Sequence, residues 1–510
     1  MNHLDLSVLQ SIFTSGAFLM AILGTAFGIV IGAIPGLGAA IGVTVLLPFT
    51  YSMQPLPALL LLAGVFMGCG FGGSISGILL NIPGTSEAIC TTVEGYPMLR
   101  KGRGKEALYY AAICSTIGGL IGTIILIFFA PALADVALKF GPPEMMLVAM
   151  IGLTIIASLS ADNFLKGVFG ACFGMLICMV GVDTVSGDTR FTFGITSFTM
   201  GFKQVALALG LIAGRELVVQ ILKALREGAA SKTSAPAEEI HLEKTSALEV
   251  FKKIIKRPFN VLFSSGIGTF IGILPGAGAA IAAYVAYGEA KRRSKEPFGQ
   301  GNPDGIIAAE SANNAAVGGT FVPMLALGIP GSATCALIFS ALTIHGIVPG
   351  PNLFTEHGDV TYGFMYGLLI SVVVMGIIAI TCAPTFAKIV KLKMSYIIPP
   401  VLCCVVLGAF SIRNNMFDVF TALAFTVIGY AFYKVKIAPA PVFLGYILGS
   451  IIEKNLLTSL TIAEAEKQNL VLYALQRPVC IIIILIGVLM LWANIKSIQS
   501  QQKAKSGIKG

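Results

Sequence analysis

Gly28-Ile29-Val30-Ile31-Gly32-Ala33-Ile34-Pro35-Gly36-Leu37-Gly38-Ala39-Ala40 decides the fold. It runs as an apolar helix with glycines four apart and stops on a Pro-Gly pair. Proline lacks the N–H a helix interior needs and glycine frees the backbone, so the helix must break there. The pattern recurs 240 residues later without a gap, as Gly268-x3-Gly272-x2-Pro275-Gly276-x-Gly278-Ala279-Ala280. A second pair follows. Gly72-Gly73-Ser74 precedes Ile82-Pro83-Gly84-Thr85, and Gly318-Gly319-Thr320 precedes Ile329-Pro330-Gly331-Ser332, with one residue inserted. Such a duplicate marks an internal repeat with helices broken at matched positions.

The composition says what surrounds those breaks. Of 510 residues, 56% are hydrophobic and 12% charged, with 58 glycines. Soluble domains carry roughly 25% charged residues, so a soluble enzyme is excluded, and low polarity excludes disorder. Apolar runs lie at about 11–33, 56–80, 107–131, 145–160, 167–182 and 201–221, then at about 258–274, 306–330, 362–387, 396–411, 416–433, 439–453 and 478–495. The expected fold is an all-α polytopic membrane protein with about 11 crossings. The ten cysteines mostly sit in these runs and read as small buried hydrophobes. The four histidines form no HExxH, and no P-loop is present, so neither a metalloenzyme nor an ATPase engine is expected. Gly68-x-Gly70-x-Gly72-Gly73 lies inside a run and reads as close helix packing.

Charge gives orientation. The net +9 reads as basic residues retained on the cytoplasmic side, not as a nucleic-acid surface. No Lys or Arg precedes Arg100, so no basic n-region of a signal peptide is expected. Lys252, Lys253, Lys256 and Arg257 precede the second repeat. The first repeat therefore starts outside and the second inside: an inverted pair. The loop Phe49–Pro55 is uncharged, whereas Lys291-Arg292-Arg293-Ser294-Lys295 is strongly basic. Each Pro-Gly segment is thus expected to be a re-entrant hairpin that returns to its own side. The domains expected are a first repeat at 1–222, a cytoplasmic linker at 223–257, an inverted repeat at 258–453, an extra helix at 454–495 and a cytoplasmic tail at 496–510. The N-terminus lies outside, the C-terminus inside, and Arg190, Arg413 and Lys454 fall on the outer side.

Broken backbone in a membrane survives only where it is buried in protein or lines a wet cavity. Pro35, Gly36, Gly38 and Ala39, with Pro275, Gly276, Gly278 and Ala279, are therefore candidate site residues. The new half-helix each one opens has free N–H groups suited to an anion. Asn81, Thr85, Ser86, Gly331, Ser332 and Thr334 follow the second breaks. Their polar groups can hold a carboxylate or a hard cation, or simply cap the next half-helix. Asn313 and Asn314 join Glu310 in the most polar cluster of any apolar run. They fit a binding role or interhelical hydrogen bonding, and Asn313, Asn314, Thr320 and Ser332 are candidate sodium ligands. Arg215-Glu216 reads as structural. No Lys or Arg occurs in 1–99 or 296–387, so an anion there must be held by backbone N–H groups, hydroxyls, amides and a co-bound cation.

At these residues the sequence resembles the large permease subunit of tripartite tricarboxylate transporters, the TctA-like family. The stretches that carry the likeness are GAIPGLGAA, GGSISGILLNIPGT and VEGYPMLRKGRGKEAL in the first half. In the second half they are GILPGAGAA, ESANNAAVGGTFVPMLALGIPGS and HGIVPGPNLF. The resemblance implies a non-enzymatic inner-membrane permease that works with a small transmembrane subunit and a periplasmic solute-binding protein. It implies ion-coupled uptake of a carboxylate, with sodium or a proton as the coupling cation. Glu94 stands where the resemblance leads one to expect Asp, and Glu87 lies close to the presumed anion site. The competing readings are a stand-alone ion-coupled carrier and an anion channel.

Overall fold

A computed structural model describes residues 6–159, 164–183, 185–230, 245–386 and 394–489. Glu238-Glu239 of the linker, His3, His241 and the lysines of the 496–510 tail lie outside them. The described chain is an all-α polytopic membrane protein. Its strands are the short antiparallel pair Gly181–Val182 and Thr189–Arg190. Six helices are long and apolar enough to cross a membrane, and a seventh if Ser7–Thr14 and Ala17–Ala33, bent by 65°, form one span. Seven shorter apolar helices accompany them.

The chain divides into two compact units that cut across the sequence halves. The first comprises Met1–Ala134 and Lys203–Ala431. At its centre stand Pro55–Leu80, buried from Leu56 to Leu79, and Pro303–Leu327, buried from Gly305 to Ala326. Pro55–Leu80 is apolar on nearly every side, as suits such an interior, whereas Pro303–Leu327 brings buried polar groups into it. They meet in antiparallel order, shown by Phe66 against Phe321, Gly70 against Asn314 and Ser74 against Glu310.

The spaced glycines make the close contacts. Gly24, Gly28 and Gly32 sit on the backbone of Leu61, Val65 and Cys69, where any Cβ would overlap. Gly268 and Gly272 sit in the same way on Ala312 and Ala316. The Gly68–Gly73 run is likewise packing: Gly68 lies on Thr25 and Gly72 on Ile29. This packing corrects the register of the duplicate. Gly72 meets Ile29 and Gly32, and the residue that meets Thr269 and Gly272 is Gly319. The extra residue therefore falls before Gly319, not between the glycine pair and the Ile-Pro-Gly turn. Glu310, Asn313 and Asn314 then match Ala63, Phe66 and Met67, so the polar cluster has no counterpart in the first half.

The basic linker is partly helical. Arg215–Ala230 extends into it, and Ala247–Ile255 is a separate helix whose N-cap Ser246 accepts from the Glu249 N–H at 3.2 Å. The loop after Gly278–Arg293 is tied down by Glu94. Its carboxylate, fully buried, accepts from Tyr287 Oη (2.8 Å), Gly299 N (2.5 Å), Gly301 N (2.8 Å) and Asn302 N (2.8 Å). The extra methylene over Asp lets one carboxylate reach all four donors. Glu94→Ala leaves three backbone N–H groups unpaired, and unfolding in detergent should show a loss of about 3 kcal/mol.

The second unit comprises Asp135–Phe202 and Phe432–Gly510. Pro142–Leu159 and Phe164–Cys178 pack on Pro439–Ala465, with Gly174 on Val442 and Gly445 on Ala171. Two of its arginines are paired, Arg190 with Glu453 at 2.6 Å and Arg477 with Glu144 at 2.5 Å. All ten cysteines are free thiols, but Cys172 and Cys403 are exposed. They are corrections to the buried reading, since both face outward from apolar helices that neighbouring helices do not fully cover.

Candidate substrate site at the helix breaks

The site lies wholly in the first unit. Ala17–Ala33 ends at Ile34, whose backbone is extended, and Gly36 takes φ 89°, a left-handed conformation that favours glycine. Pro258–Ile273 ends in the same way at Leu274, with Gly276 at φ 81° and Gly278 at φ 65°. Gly38 differs: its φ is −61°, within reach of any residue. Pro55–Leu80 and Pro303–Leu327 end on left-handed Asn81 (φ 59°) and Gly328 (φ 71°).

Each Pro-Gly tip is hydrogen-bonded to the second break of its own half. Gly36 N donates to Gly84 O at 3.3 Å, and Gly276 N donates to Gly331 O at 2.8 Å. After each second break the chain folds back. Gly84 N reaches Gly73 O at 3.0 Å, and Gly331 lies against Thr320. The halves then interlock: Ala39–Leu46 packs on Ala333–Ile344, and Gly278–Arg293 packs on the short turn Ser86–Ala88. Twelve of the candidate residues are thereby brought into these two interlocked pairs: Pro35, Gly36, Gly38, Ala39, Thr85, Ser86, Pro275, Gly276, Gly278, Ala279, Gly331 and Ser332. Asn81 is exposed at the end of its helix, and Thr334 is buried in the first turn of Ala333–Ile344.

The hydroxyls divide. Ser332 Oγ accepts from Cys335 N at 3.2 Å and is a helix cap. Thr85 makes no cap; its Oγ1 is buried, without a hydrogen-bond partner, beside Gly73. Ser86 is exposed and donates to Glu87 at 3.3 Å. Ala39–Leu46 and Gly278–Arg293 begin with no side-chain cap; in the first of them Ile41 N–H turns back on Gly38 O at 3.0 Å, and the N–H groups ahead of it are left to another acceptor.

The candidate cation ligands fall into two groups. Thr320 and Ser332 neighbour Gly331, and Thr320 Oγ1 donates its proton to Val317 O at 2.8 Å. Asn314 lies six residues earlier, about 9 Å along the helix. Asn313 Nδ2 donates to Gly70 O at 3.0 Å, while the amide oxygens of Asn313 and Asn314 are buried without partners. Both oxygens lie within 4 Å of the point a Gly70 side chain would occupy. One turn away, fully buried Glu310 accepts from Ser74, Thr91 and Ser115 (2.6 Å for the last), hydroxyls of three other helices.

Sequence reasoning missed Gln220 and the role of Arg215-Glu216. A side chain on Gly36 would overlap Gln220 Nε2, which donates to Glu216 Oε1 at 2.9 Å, and Arg215 pairs with Glu216 at 2.8 Å. A polar cluster thus sits against the first tip, just after the π-helical turn Leu209–Gly214. Such turns gather at functional sites.

Paired helix breaks enclosed in a polytopic all-α bundle are an arrangement that membrane transport proteins use. The chain belongs to the tripartite tricarboxylate transporter TctA family, whose model matches residues 18–444. A relative from Agrobacterium vitis, described as an uncharacterized 52.8 kDa protein in the TAR-I ttuC' 3' region, is 32% identical over 446 residues, 87% of each chain. A second from the same organism, an uncharacterized protein in the TAR-II ttuC' 3' region, is 33% identical over 201 residues, 39% of this chain and 83% of its own. The chain is therefore a multi-pass membrane component of a tripartite system, of a transport family and not an enzymatic one.

Proposed function

We propose that the chain is the permease of an ion-coupled, secondary-active uptake system for a small carboxylate, a tricarboxylate or related organic anion. The observation that carries this reading is the interlock of four broken segments, two of them opening helices with uncapped N–H groups. A carboxylate is the natural acceptor for such N–H groups. Pro35–Ala39 and Pro275–Ala279 form the opposed tips, and Thr85 and Ser86 complete the site. The unpaired amide oxygens of Asn313 and Asn314 suit sodium, a hard cation, and Glu310 supplies the balancing charge. The halves form an inverted pair with about 11 crossings in the bacterial inner membrane, N-terminus outside and C-terminus cytoplasmic. The paired state of Arg190, and of Arg413 with Asp418 at 2.5 Å, fits their outer placement. A small transmembrane subunit completes the membrane part, and a periplasmic binding protein delivers substrate.

Reconstituted vesicles test this reading. Uptake of labelled carboxylate should require an imposed sodium or proton gradient and should rise when the binding protein is added. Uptake at full rate without that protein would favour a stand-alone carrier, and flux far above carrier turnover would favour a channel. Replacing both Asn313 and Asn314 by Leu should raise the sodium needed for half-maximal uptake about tenfold. An unchanged sodium dependence would remove them from the cation site.

A further inference from the structure

A second built surface lies away from the breaks, where Ala247–Ile255 meets the start of Pro258–Ile273. Arg103, Glu106, Tyr110, Lys253, Lys256 and Arg257 line a cleft of about 470 Å³. Glu106 takes Arg103 and Lys253, each at 2.7 Å, and Arg257 reaches Asp304 at 3.0 Å. Lys256 is exposed and has no such partner among the described residues. An adjoining cleft of about 270 Å³ shares Lys256 and Arg257 and adds Phe259 and Arg293. Phe259 then opens an apolar groove of about 420 Å³ with Leu262, Phe263, Gly266 and Ile267. The Arg293 guanidinium marks the seam, 4.9 Å from the Phe259 ring centroid and 4.5 Å from that of Phe263. Five cations, Arg103, Lys253, Lys256, Arg257 and Arg293, thus face three carboxylates, Glu106, Asp304 and, 3.7 Å from Arg293, Glu289, and the charge gives way directly to an apolar trough.

That order is the order of an amphiphile. Phe259 and Leu262 are 63% and 60% exposed on one helix face, as side chains set against hydrocarbon are, so the change from charge to apolar surface fits the membrane interface. Ala247–Ile255 lies at that level. It buries Val250 and Ile254 while exposing Leu248, Phe251 and Ile255, as an interfacial amphipathic helix does. We propose that this face binds an anionic phospholipid, with its phosphate on Lys253, Lys256 and Arg257 and an acyl chain along Phe259, Leu262 and Phe263. The excess of positive charge selects an anionic headgroup over a zwitterionic one. Basic pockets between membrane helices are suited to such lipids. The bound lipid would fix the linker helix to the membrane surface.

Two measurements test it. A photo-crosslinker at Leu262, activated in native membranes, should give an adduct with the mass of a phospholipid; an adduct with a polypeptide would overturn the proposal. Native mass spectrometry of the protein washed in detergent with phosphatidylglycerol or phosphatidylcholine is the second. The wild type should retain phosphatidylglycerol selectively. The Lys253→Gln/Lys256→Gln variant should lose about twenty-five-fold in retention, at about fivefold per lysine. Equal retention of both lipids, or displacement of the lipid by inorganic phosphate, would contradict it. If the double variant does not fold, Lys256→Gln alone removes an exposed, unpartnered lysine and should still lose about fivefold; no loss would overturn the proposal.

Discussion

Replacing Gly276 by valine is expected to cut carboxylate uptake about a hundredfold while the protein stays inserted. Gly276 holds φ 81° and donates its N–H to Gly331 O at 2.8 Å. A left-handed backbone costs an ordinary residue about 1–2 kcal/mol, and a β-branched one is a genuine outlier there. That cost does not unfold a large bundle, but it moves the tip, and a displacement of about 1 Å is felt a hundredfold at a positioned site. Gly36→Val should behave alike, with the added overlap on Gln220. A comparison of alanine variants separates backbone from space. Neither Gly38 nor Gly278 has a heavy atom within 4 Å of its added Cβ, but only Gly278 has a positive φ. Gly278→Ala should lower thermal stability by about 1 kcal/mol, and Gly38→Ala should not. Membrane abundance by immunoblot, beside uptake, checks insertion; unimpaired uptake in both valine variants would remove the tips from the site.

Glu310→Gln is expected to reduce uptake more than tenfold with little change in stability. The three hydroxyls that donate to Glu310 come from Pro55–Leu80, Ile89–Arg100 and Gly104–Ala137. Hydrogen bonds between membrane helices average about 0.6 kcal/mol, so losing all three would cost at most about 2 kcal/mol, and Gln still accepts through its carbonyl oxygen. A purely structural Glu310 would then show a modest drop in melting temperature and near-normal uptake. A carboxylate buried without a basic partner has a different requirement: it must be neutralised by a proton or balanced by a cation each time it is enclosed. Gln preserves shape and removes that charge. Lost uptake with retained stability supports a coupling role, and the reverse pattern contradicts it.

The helix breaks were legible because proline and glycine act locally, and the repeat was legible because its spacing holds over many residues. The single-residue offset before Gly319 was not. Gly72-Gly73 and Gly318-Gly319 are alike as pairs, and only contact with Ile29 or Thr269 tells which glycine is which. The linker helix is marked only by Ser246 and Glu249, spaced as a capping box, and its nine residues fall short of a span. Gln220 and the hydroxyls around Glu310 are far from their partners in sequence, so no local pattern marks them. The two compact units draw on both sequence halves for the same reason: packing joins segments that the chain order separates.

The central claim is that the interlocked breaks hold a carboxylate whose movement is coupled to a cation. The most direct test is uptake of labelled carboxylate into vesicles holding the reconstituted permease and its partner subunits, first with sodium and proton gradients imposed together, then with each collapsed alone, then with both collapsed. The account predicts accumulation that survives the loss of one gradient and falls to equilibration when both are gone. Accumulation that continues undiminished with both gradients collapsed would contradict it.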